Sequence, residues 1–599
     1  MRARCLWLVG SLIWFPIPGG AQVASNASLQ GSYNFRYLGI IGSPCDCPIS
    51  FQGTATFDGK GSFQIIGQGT YNNGSDHSLN GPGSGHYTVL SSGALQMDNP
   101  FANGSVSLRG GVGVGALVAS STESGYLDLI VAAPAGTASS NATLSGAYQV
   151  ASLEFAGGRT QATRNTFFSM NADGAGGLGN VTVKGTSQVL KNAATTQMSS
   201  GATYTLSARG TGTLTLPAPA GISADSQLLS GAKTFYVSPD GNFFLAGAAT
   251  GYDLVLGVKS SNNALQGLYF TGLLQNLADG SAGAGLYSAW GSSIEVGDQA
   301  ANEISHQRVK GDGYSAFDQL FSDTFASNPQ YAAGPSGNIV IGTGNAGNYQ
   351  LSLNVKLANL GGTGVFLNPA GVVNAATNAP FTAPVSPGEL ISLYGTGLAT
   401  QTATAASLPF PNTLANVQVS VNGTAAPIYY VSPTLISVQV PYSIPADGSL
   451  VTIQVTNDGT PSNSVQAYTA QTSPGIFTLP AGGLGSGAIR HADFTIVSAA
   501  SPAHVGETVQ IYLTGLGAVT PAVAAGAAAP VLPLSITANH VAVYIDKQPA
   551  TVAFAGLAPT LAGLYQLNVT IPAGVGTGNL DIQVVTVDSS SVQATIPVR

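Results

Sequence analysis

Cys45 and Cys47 stand one residue apart in "PCDCP" (44–48). Such a pair can close a local disulfide, a small ring with demanding geometry, or contribute to a metal set. No second cysteine pair or nearby histidine completes a zinc site, so a bridge is the expectation. A second group is His306, Asp312 and Asp318, inside a stretch (291–330) that also holds Glu295, Asp298, Glu303, Arg308, Lys310 and Asp323. Carboxylate oxygens are hard ligands and suit Ca²⁺. The spacing is not that of an EF-hand loop, and a solvated insertion or a polar interface network is the plainer reading. The third group is Tyr429 and Tyr430 in "PIYYVSP" (427–433). On a strand, one neighbour faces inward and the other outward. An outward tyrosine stacks on a sugar or a partner, or covers an adjoining module.

Other chemistry finds little support. The six histidines form neither H-x-x-x-H nor H-E-x-x-H, and no G-x-S-x-G elbow is present. "GAGGLG" (174–179) and "GTGNAG" (342–347) fit a dinucleotide fingerprint by letter, but "NVTVKG" and "NYQLSLNV" follow them and read as strands. The fingerprint requires a helix there, so both are read as turns. The expectation is a protein without catalysis and without cofactor. Charged residues make up 7% of the chain and the net charge is −8, with no run of Lys or Arg. Nucleic acid is therefore not an expected partner. A glycan, a surface polymer or a protein partner would be held by shape, hydrogen bonds and apolar contact.

These residues need a scaffold, and composition indicates its type. The 599 residues are 44% hydrophobic and include 78 Gly and 33 Pro. That mixture favours short strands and many turns over long helices, whose wet faces usually carry Glu, Lys and Arg. Arg2 and Arg4 precede the apolar run 5–15, and Gly19-Gly20-Ala21 follows. This is the pattern of a secretory signal peptide (1–21) cut near Ala21. Its apolar run is too short to span a bilayer, and no later run is long enough. A secreted or cell-surface protein with no transmembrane segment in the mature chain is expected.

One phrase recurs: "NASLQGSY" (26–33), "NATLSGAY" (141–148) and "NNALQGLY" (262–269). The first two leucines, Leu29 and Leu144, are 115 residues apart, as are Asp58 of "FDGKG" and Asp173 of "ADGAG". Duplication of one β-unit follows, giving units at 22–137, 138–261 and 262–366. "YNFRYLG" and "YQVASLEF" have the two-residue period of strands, which a closed barrel or a sandwich would satisfy. The third unit is diverged, with a charged insertion. There Phe317, Leu320, Phe321 and Phe325 predict a helix over 316–326. A second pair of phrases, "SPGELISLYGTGL" (386–398) and "HVGETVQIYLTGL" (504–516), marks two further modules at 367–479 and 480–599. Short strands with close turns, and the hairpin signal Asn422-Gly423, indicate immunoglobulin-like sandwiches. The fold class is thus all-β: tandem barrel-like or sandwich units, then two immunoglobulin-like modules, with five separate cores.

The strings "GVVNAAT" (371–377), "PVSPGELISLYGTGLA" (384–399), "LPFPNTLANVQVSVNGTAAPIYYVSPTLISVQVPY" (408–442), "SPGIFT" (473–478) and "GETVQIYLTGLGAVTPAV" (506–523) carry a resemblance. Over about residues 368–599 the chain resembles a C-terminal domain family of secreted proteins from Solibacter-type acidobacteria, with modules similar to IPT/TIG-type immunoglobulin-like domains. The resemblance implies export and a pair of β-sandwiches, and it implies no reaction. The functional expectation is adhesion, contact or a structural role. Small-molecule or glycan binding by the N-terminal units is the alternative. A polymer-degrading hydrolase is a third reading.

Overall fold

In the computed structural model the described residues are 23–41, 47–74, 76–101, 107–121, 126–261, 268–277, 285–295, 303–307, 320–324, 330–344, 347–378, 381, 383–479 and 485–599. The expected signal peptide, Cys45, Asp312 and Asp318 lie outside them. The chain is all-β, and among the described residues no helix reaches seven residues.

The first unit is a closed eight-stranded barrel of β1 (Gln30–Ile41), β2 (Cys47–Asp58), β3 (Ser62–Asn72), β4 (Asp76–Val89), β5 (Ala94–Asp98), β6 (Ser107–Val112), β7 (Leu117–Ser121) and β8 (Tyr126–Pro134). The second closes in the same way from β9 (Ser145–Phe155), β10 (Thr163–Asp173), β11 (Gly177–Ser187), β12 (Thr195–Leu206), β13 (Thr211–Leu216), β14 (Gly231–Val237), β15 (Phe243–Gly247) and β16 (Asp253–Lys259). Each barrel lumen is filled. Phe35, Phe51, Phe57, Phe63 and Tyr87 pack in the first, and Tyr148, Phe168, Tyr204, Phe235 and Phe244 in the second.

The repeated phrase closes the floor of each barrel. In both copies it forms a one-turn 3₁₀ segment, Asn26–Ser28 and Asn141–Thr143, that ends on a fully buried leucine, Leu29 or Leu144. The Asn26 amide donates to the Lys60 carbonyl at 3.2 Å and accepts from the Val89 N–H at 2.7 Å. Asn141 repeats this with Ala175 (3.1 Å) and Leu206 (2.8 Å). The Tyr87 and Tyr204 hydroxyls each donate to the leucine carbonyl at 2.8 Å. Asp58 and Asp173 each accept three backbone N–H bonds in the following turn, which holds both carboxyls below their ordinary range. The phrase recurs because a barrel floor needs a plug that also satisfies the exposed strand ends.

The third unit uses β17 (Leu268–Leu277), β18 (Gly285–Glu295), β19 (Glu303–Gln307), β20 (Leu320–Thr324), β21 (Gln330–Ala333), β22 (Ile339–Thr343) and β23 (Asn348–Lys356), in the order β20-β19-β18-β17-β23-β22-β21. Its central pairing copies the barrels. Tyr269 faces Lys356 and Leu274 faces Leu351, as Tyr148 faces Lys259 and Leu153 faces Leu254. Among the described residues this sheet does not close. The helix predicted over 316–326 is not present at Leu320–Thr324, which pairs as a strand with β19. An available strand edge supplies a full ladder and overrides helical spacing.

Beyond the two barrel lumens, the three units share a further core. β1 alternates: Phe35 and Tyr37 face the first lumen, while Leu38 and Ile40 face outward into a second, larger core. That core joins Leu129 and Val131 of β8, Leu153 of β9, Leu256 of β16, Phe270 and Leu274 of β17, and Leu351 and Leu353 of β23. The contacts run in a cycle. β1 lies on β15 and β16, β9 and β10 lie on β22 and β23, and β17 and β18 lie on β7 and β8. Each unit thus offers its first strands to the last strands of the next, a head-to-tail ring that closes after three.

The C-terminal modules do have their own cores. In the first, one sheet contains Phe366–Asn374, Leu390–Thr396, Leu435–Gln439 and Ile428–Val431, and the other contains Val417–Val421, Leu450–Asn457 and Val465–Tyr468. Val419, Ile436, Ile453 and Val465 fill the space between them. In the second module the strand Gln548–Leu557 passes from one sheet to the other through a bulge near Val552. Its core centres on Ile511, Val543, Leu567 and Ile582. The first module docks on the ring. The Tyr468 hydroxyl donates to Gln96 at 3.0 Å, the Arg109 guanidinium lies 4.4 Å from the Tyr468 ring centre, and Phe381 meets Phe270 edge-on at 5.6 Å.

Candidate functional site

Arg36 projects outward from β1 and enters the mouth of the second barrel. Its guanidinium donates to the Asp253 carboxylate at 2.7 Å, to the Asp253 carbonyl at 2.5 Å, to Gln52 at 2.5 Å, and to the Ala248 and Gly251 carbonyls at 3.1 Å. Lys233 Nζ reaches the other Asp253 oxygen at 2.6 Å. All three side chains are buried. Burial alone would raise the Asp253 carboxyl, but Lys233 and Arg36 outweigh it and hold the group below its ordinary range. A Cβ at Gly247 would lie 1.9 Å from Arg36 Nε, so glycine is what leaves room for the arginine. With every nitrogen of Arg36 and Lys233 Nζ hydrogen-bonded, this group acts as an inter-barrel lock. Inside the first barrel, Asp128 accepts from the Tyr37 hydroxyl (2.8 Å), the Ser121 N–H (2.6 Å) and the Ser121 hydroxyl (2.6 Å). Burial pushes both the Asp128 carboxyl and the Tyr37 phenol up.

The more open feature is the seam between the two immunoglobulin-like modules. The Leu390 N–H donates to Thr514 Oγ1 at 2.8 Å, the Gly526 N–H to Gln439 Oε1 at 2.6 Å, and the Phe410 N–H to the Gly526 carbonyl at 2.8 Å. These bonds hold the walls of a cleft of about 610 Å³, with Leu408, Phe410 and Tyr429 on one side and Phe477, Leu561 and Leu564 on the other. Through Phe477, Leu561 and Leu564 it continues into a second cleft of about 400 Å³, lined by Ile489, Arg490, Ile496 and Tyr512. The Arg490 guanidinium lies 5.7 Å from the Tyr512 ring centre. Tyr429, Ile496 and Leu561 are 46%, 50% and 44% exposed, so the apolar lining is open to solvent.

Both modules enter a core strand through the same turn. Glu389 Oε2 accepts from the Ser386 N–H at 2.7 Å, and Glu507 Oε2 accepts from the His504 N–H at 3.0 Å. The other oxygen meets Asn374 Nδ2 at 2.9 Å in the first module and His491 Nδ1 at 2.5 Å in the second. This explains the repeated Gly-Glu of "SPGEL" and "HVGET". Burial pushes the Glu389 carboxyl up to about 8 against its hydrogen bonds from Ser386 and Asn374. The Glu507 hydrogen bond raises His491 above its ordinary value.

The residues singled out from sequence fall in different places. Tyr429 lines the seam cleft and packs on Phe410 at 5.4 Å. Strict inward-outward alternation of Tyr429 and Tyr430 does not hold. Ile428 faces Val438 and Tyr430 faces Ser437, so Tyr429 is the extra residue of a bulge. Tyr429 is exposed, Tyr430 half-buried, and Ile428 and Val431 take the core positions. Cys47 is disulfide-bonded. His306 lies on β19 opposite Phe321, while Asp312 and Asp318 lie outside the described residues. Among the described residues no group of three or more His, Cys, Asp or Glu is placed to hold a metal, and no helix is long and apolar enough to cross a membrane. Arg36, Lys233 and Asp253 were missed. Their signal was a charge within an otherwise apolar or small strand, in a chain with few charges.

Residues 376–471 match the model of the IPT/TIG domain family, which covers most of the first immunoglobulin-like module. No curated protein matches the chain.

Proposed function

We propose that the chain is a non-catalytic contact protein acting outside the cell or at its surface, and that the seam between its two immunoglobulin-like modules is the contact face. The observation that carries this reading is the continuous, solvent-open apolar cleft through Phe410, Tyr429, Phe477 and Leu561. An immunoglobulin-like module of IPT/TIG type fits such a role. Specific contact sites commonly place aromatic residues and arginine at their centre, and the two joined clefts carry Phe410 and Tyr429 in one and Tyr512 and Arg490 in the other. The partner suited to it is a protein that inserts apolar side chains and sets a carboxylate beside Arg490. Ligand binding in the lumens of the first two barrels is disfavoured, because aromatic side chains already fill them. The test is an array of extracellular proteins, glycans and surface polymers probed with the intact chain, Tyr429→Ala and Leu561→Asp. We expect protein binding that falls at least tenfold in both variants while the melting temperature holds. Binding that survives both substitutions places the contact face elsewhere.

A further inference from the structure

The turn that both immunoglobulin-like modules share differs between its two copies at one partner. In the first module Asn374 lies opposite Ile391, two residues beyond Glu389. In the second, Ile489 lies opposite Ile511 and Arg490 opposite Gln510. Continued by one residue, that register sets His491 at Val509, two residues beyond Glu507. His491 therefore takes the place of Asn374, and it meets the same two kinds of acceptor. Asn374 Nδ2 donates to Glu389 Oε1 and to the Ser473 carbonyl, each at 2.9 Å. The His491 ring sets Nδ1 2.5 Å from Glu507 Oε1 and Nε2 3.1 Å from the Ser501 carbonyl. The side chains of His491 and Glu507 are 13% and 21% exposed.

An amide keeps its N–H donors at any pH, and an imidazole does not. A carboxylate and a carbonyl face the two ring nitrogens, so both must carry a proton, which only the imidazolium provides. A neutral ring that keeps its proton on Nδ1 turns the Nε2 lone pair toward the Ser501 carbonyl. The Ser501 hydroxyl, at 3.3 Å, is then the donor left to it. The surroundings favour the cation. The Glu507 hydrogen bond, opposed by burial and helped by the Ser501 carbonyl and the charges of Glu507 and Asp493, raises the ring above its ordinary 6.5. Asp493 belongs to the ring's own hairpin, and Glu507 to the turn before the strand Thr508–Thr514. The turn 498–501 is Ser-Ala-Ala-Ser and brings no charge. Arg490 holds its guanidinium toward Tyr512, and His504 meets Glu507 through its backbone N–H.

The ring sits where a wall of the cleft leaves its sheet. The ladder between Ile489–Arg490 and Thr508–Thr514 is two pairs long. Past it, the chain folds back as a hairpin on its own bonds, from the His491 N–H to the Thr495 carbonyl at 2.9 Å and from the Val497 N–H to the Ile489 carbonyl at 3.0 Å. Ile489, Arg490 and Ile496 of this hairpin and Tyr512 of the strand line the cleft of about 400 Å³. We propose that His491 is a proton-operated latch on this end of the seam. With both nitrogens protonated it ties the hairpin to the Glu507 turn and to the turn 498–501, and with one proton lost the hairpin loosens. The bearing of the latch on partner binding rests on the reading of the seam as a contact face. Because folding raises the ring, the fastening is complete below 6.5 and is lost as pH rises through the folded titration. Contact through Arg490 and Ile496 is then strongest in mildly acid surroundings.

The test is hydrogen exchange on the intact chain, with each rate corrected for the intrinsic pH dependence of amide exchange. Protection of residues 489–497 should fall between about pH 5.5 and about pH 9, by about tenfold for every pH unit that separates the free from the folded titration of His491. His491→Asn, which installs the first module's donor, should flatten that slope. Glu389→Gln, which silences the titration of the first module, should leave it in place. Nitrogen-15 spectra of the wild-type ring should show both nitrogens protonated at about pH 6 and a midpoint above 6.5. Protection without a pH slope in the wild type, a slope retained in His491→Asn or lost in Glu389→Gln, or a ring already neutral at about pH 6 would overturn the latch. None of these readings involves a partner, so they stand or fall apart from the seam's role in contact.

Discussion

Leu38, Leu129, Leu153, Leu256, Phe270 and Leu353 come from three different N-terminal units and belong to one core. Val419 and Ile453, by contrast, never share a core with Ile511 and Leu567, because each immunoglobulin-like module buries its own face. The N-terminal strands on the shared side are apolar outside as well as inside the barrels, and such strands must be covered on both faces. The C-terminal strands alternate, as in Leu450–Asn457, where every second residue is buried. The contrast teaches that repetition in sequence does not fix the unit of stability. What fixes it is whether the second face of a strand is wet. The ring should therefore unfold as one body, while the two sandwiches lose structure more independently, coupled to each other through the seam and to the ring through Tyr468 and Phe381.

The largest blow to that contrast would come from Asp253→Ala. It leaves Arg36 and Lys233 buried without their counter-charge, and breaking such a group costs about 3–5 kcal/mol. Calorimetry should show the transition of the ring falling, with hydrogen exchange rising in both barrels together and not in the C-terminal sandwiches. Exchange that rises in the second barrel alone would show that the ring is not one body.

Glu389 tests the other side. Its folded carboxyl sits at about 8, above its unfolded value near 4.3, so the folded module holds a proton that the unfolded chain releases between those limits. The first sandwich should lose stability as pH rises from about 4.5 to 8, by an amount on the order of 5 kcal/mol. Glu389→Gln should flatten that slope in denaturant titrations and leave the ring's pH profile alone. A slope that persists in the variant assigns the proton to another group.

A smaller effect sharpens the likeness between the barrels. Asn26→Ala and Asn141→Ala each remove two hydrogen bonds from equivalent floors. Each should cost about 1–2 kcal/mol. Because the ring is shared, both variants should lower the same calorimetric transition by similar amounts, and two distinct transitions would contradict this.

Much of this architecture was legible in the sequence. The 115-residue spacing of Leu29 and Leu144 located the repeated barrel floor, and the Gly-Glu phrases located the turn that both immunoglobulin-like modules share. The double-faced run "YNFRYLGII" also carries the mark of a strand covered on both sides, which its two-residue period alone does not bring out. Arg36 could not be paired by sequence, because Asp253 is over two hundred residues away and meets it only after two barrels dock. The aromatic spacing at 317–325 suited a helix until a neighbouring strand offered its edge. The bulge at Tyr429 inserts one residue into a ladder, and nothing in "PIYYVSP" distinguishes that from regular alternation.

The cyclic contact also bears on how the three joints differ. In an assembly of identical subunits, any change at a contact is repeated at every copy of it. Here the same place in the cycle is encoded three times, and it carries Arg36 at one joint, Ala151 at the next and Gly272 at the third. Covalent fusion releases the copies from enforced likeness, so one interface can be bolted with charge, another left ajar, and the last pressed flat, without any of the three changes being imposed on its neighbours.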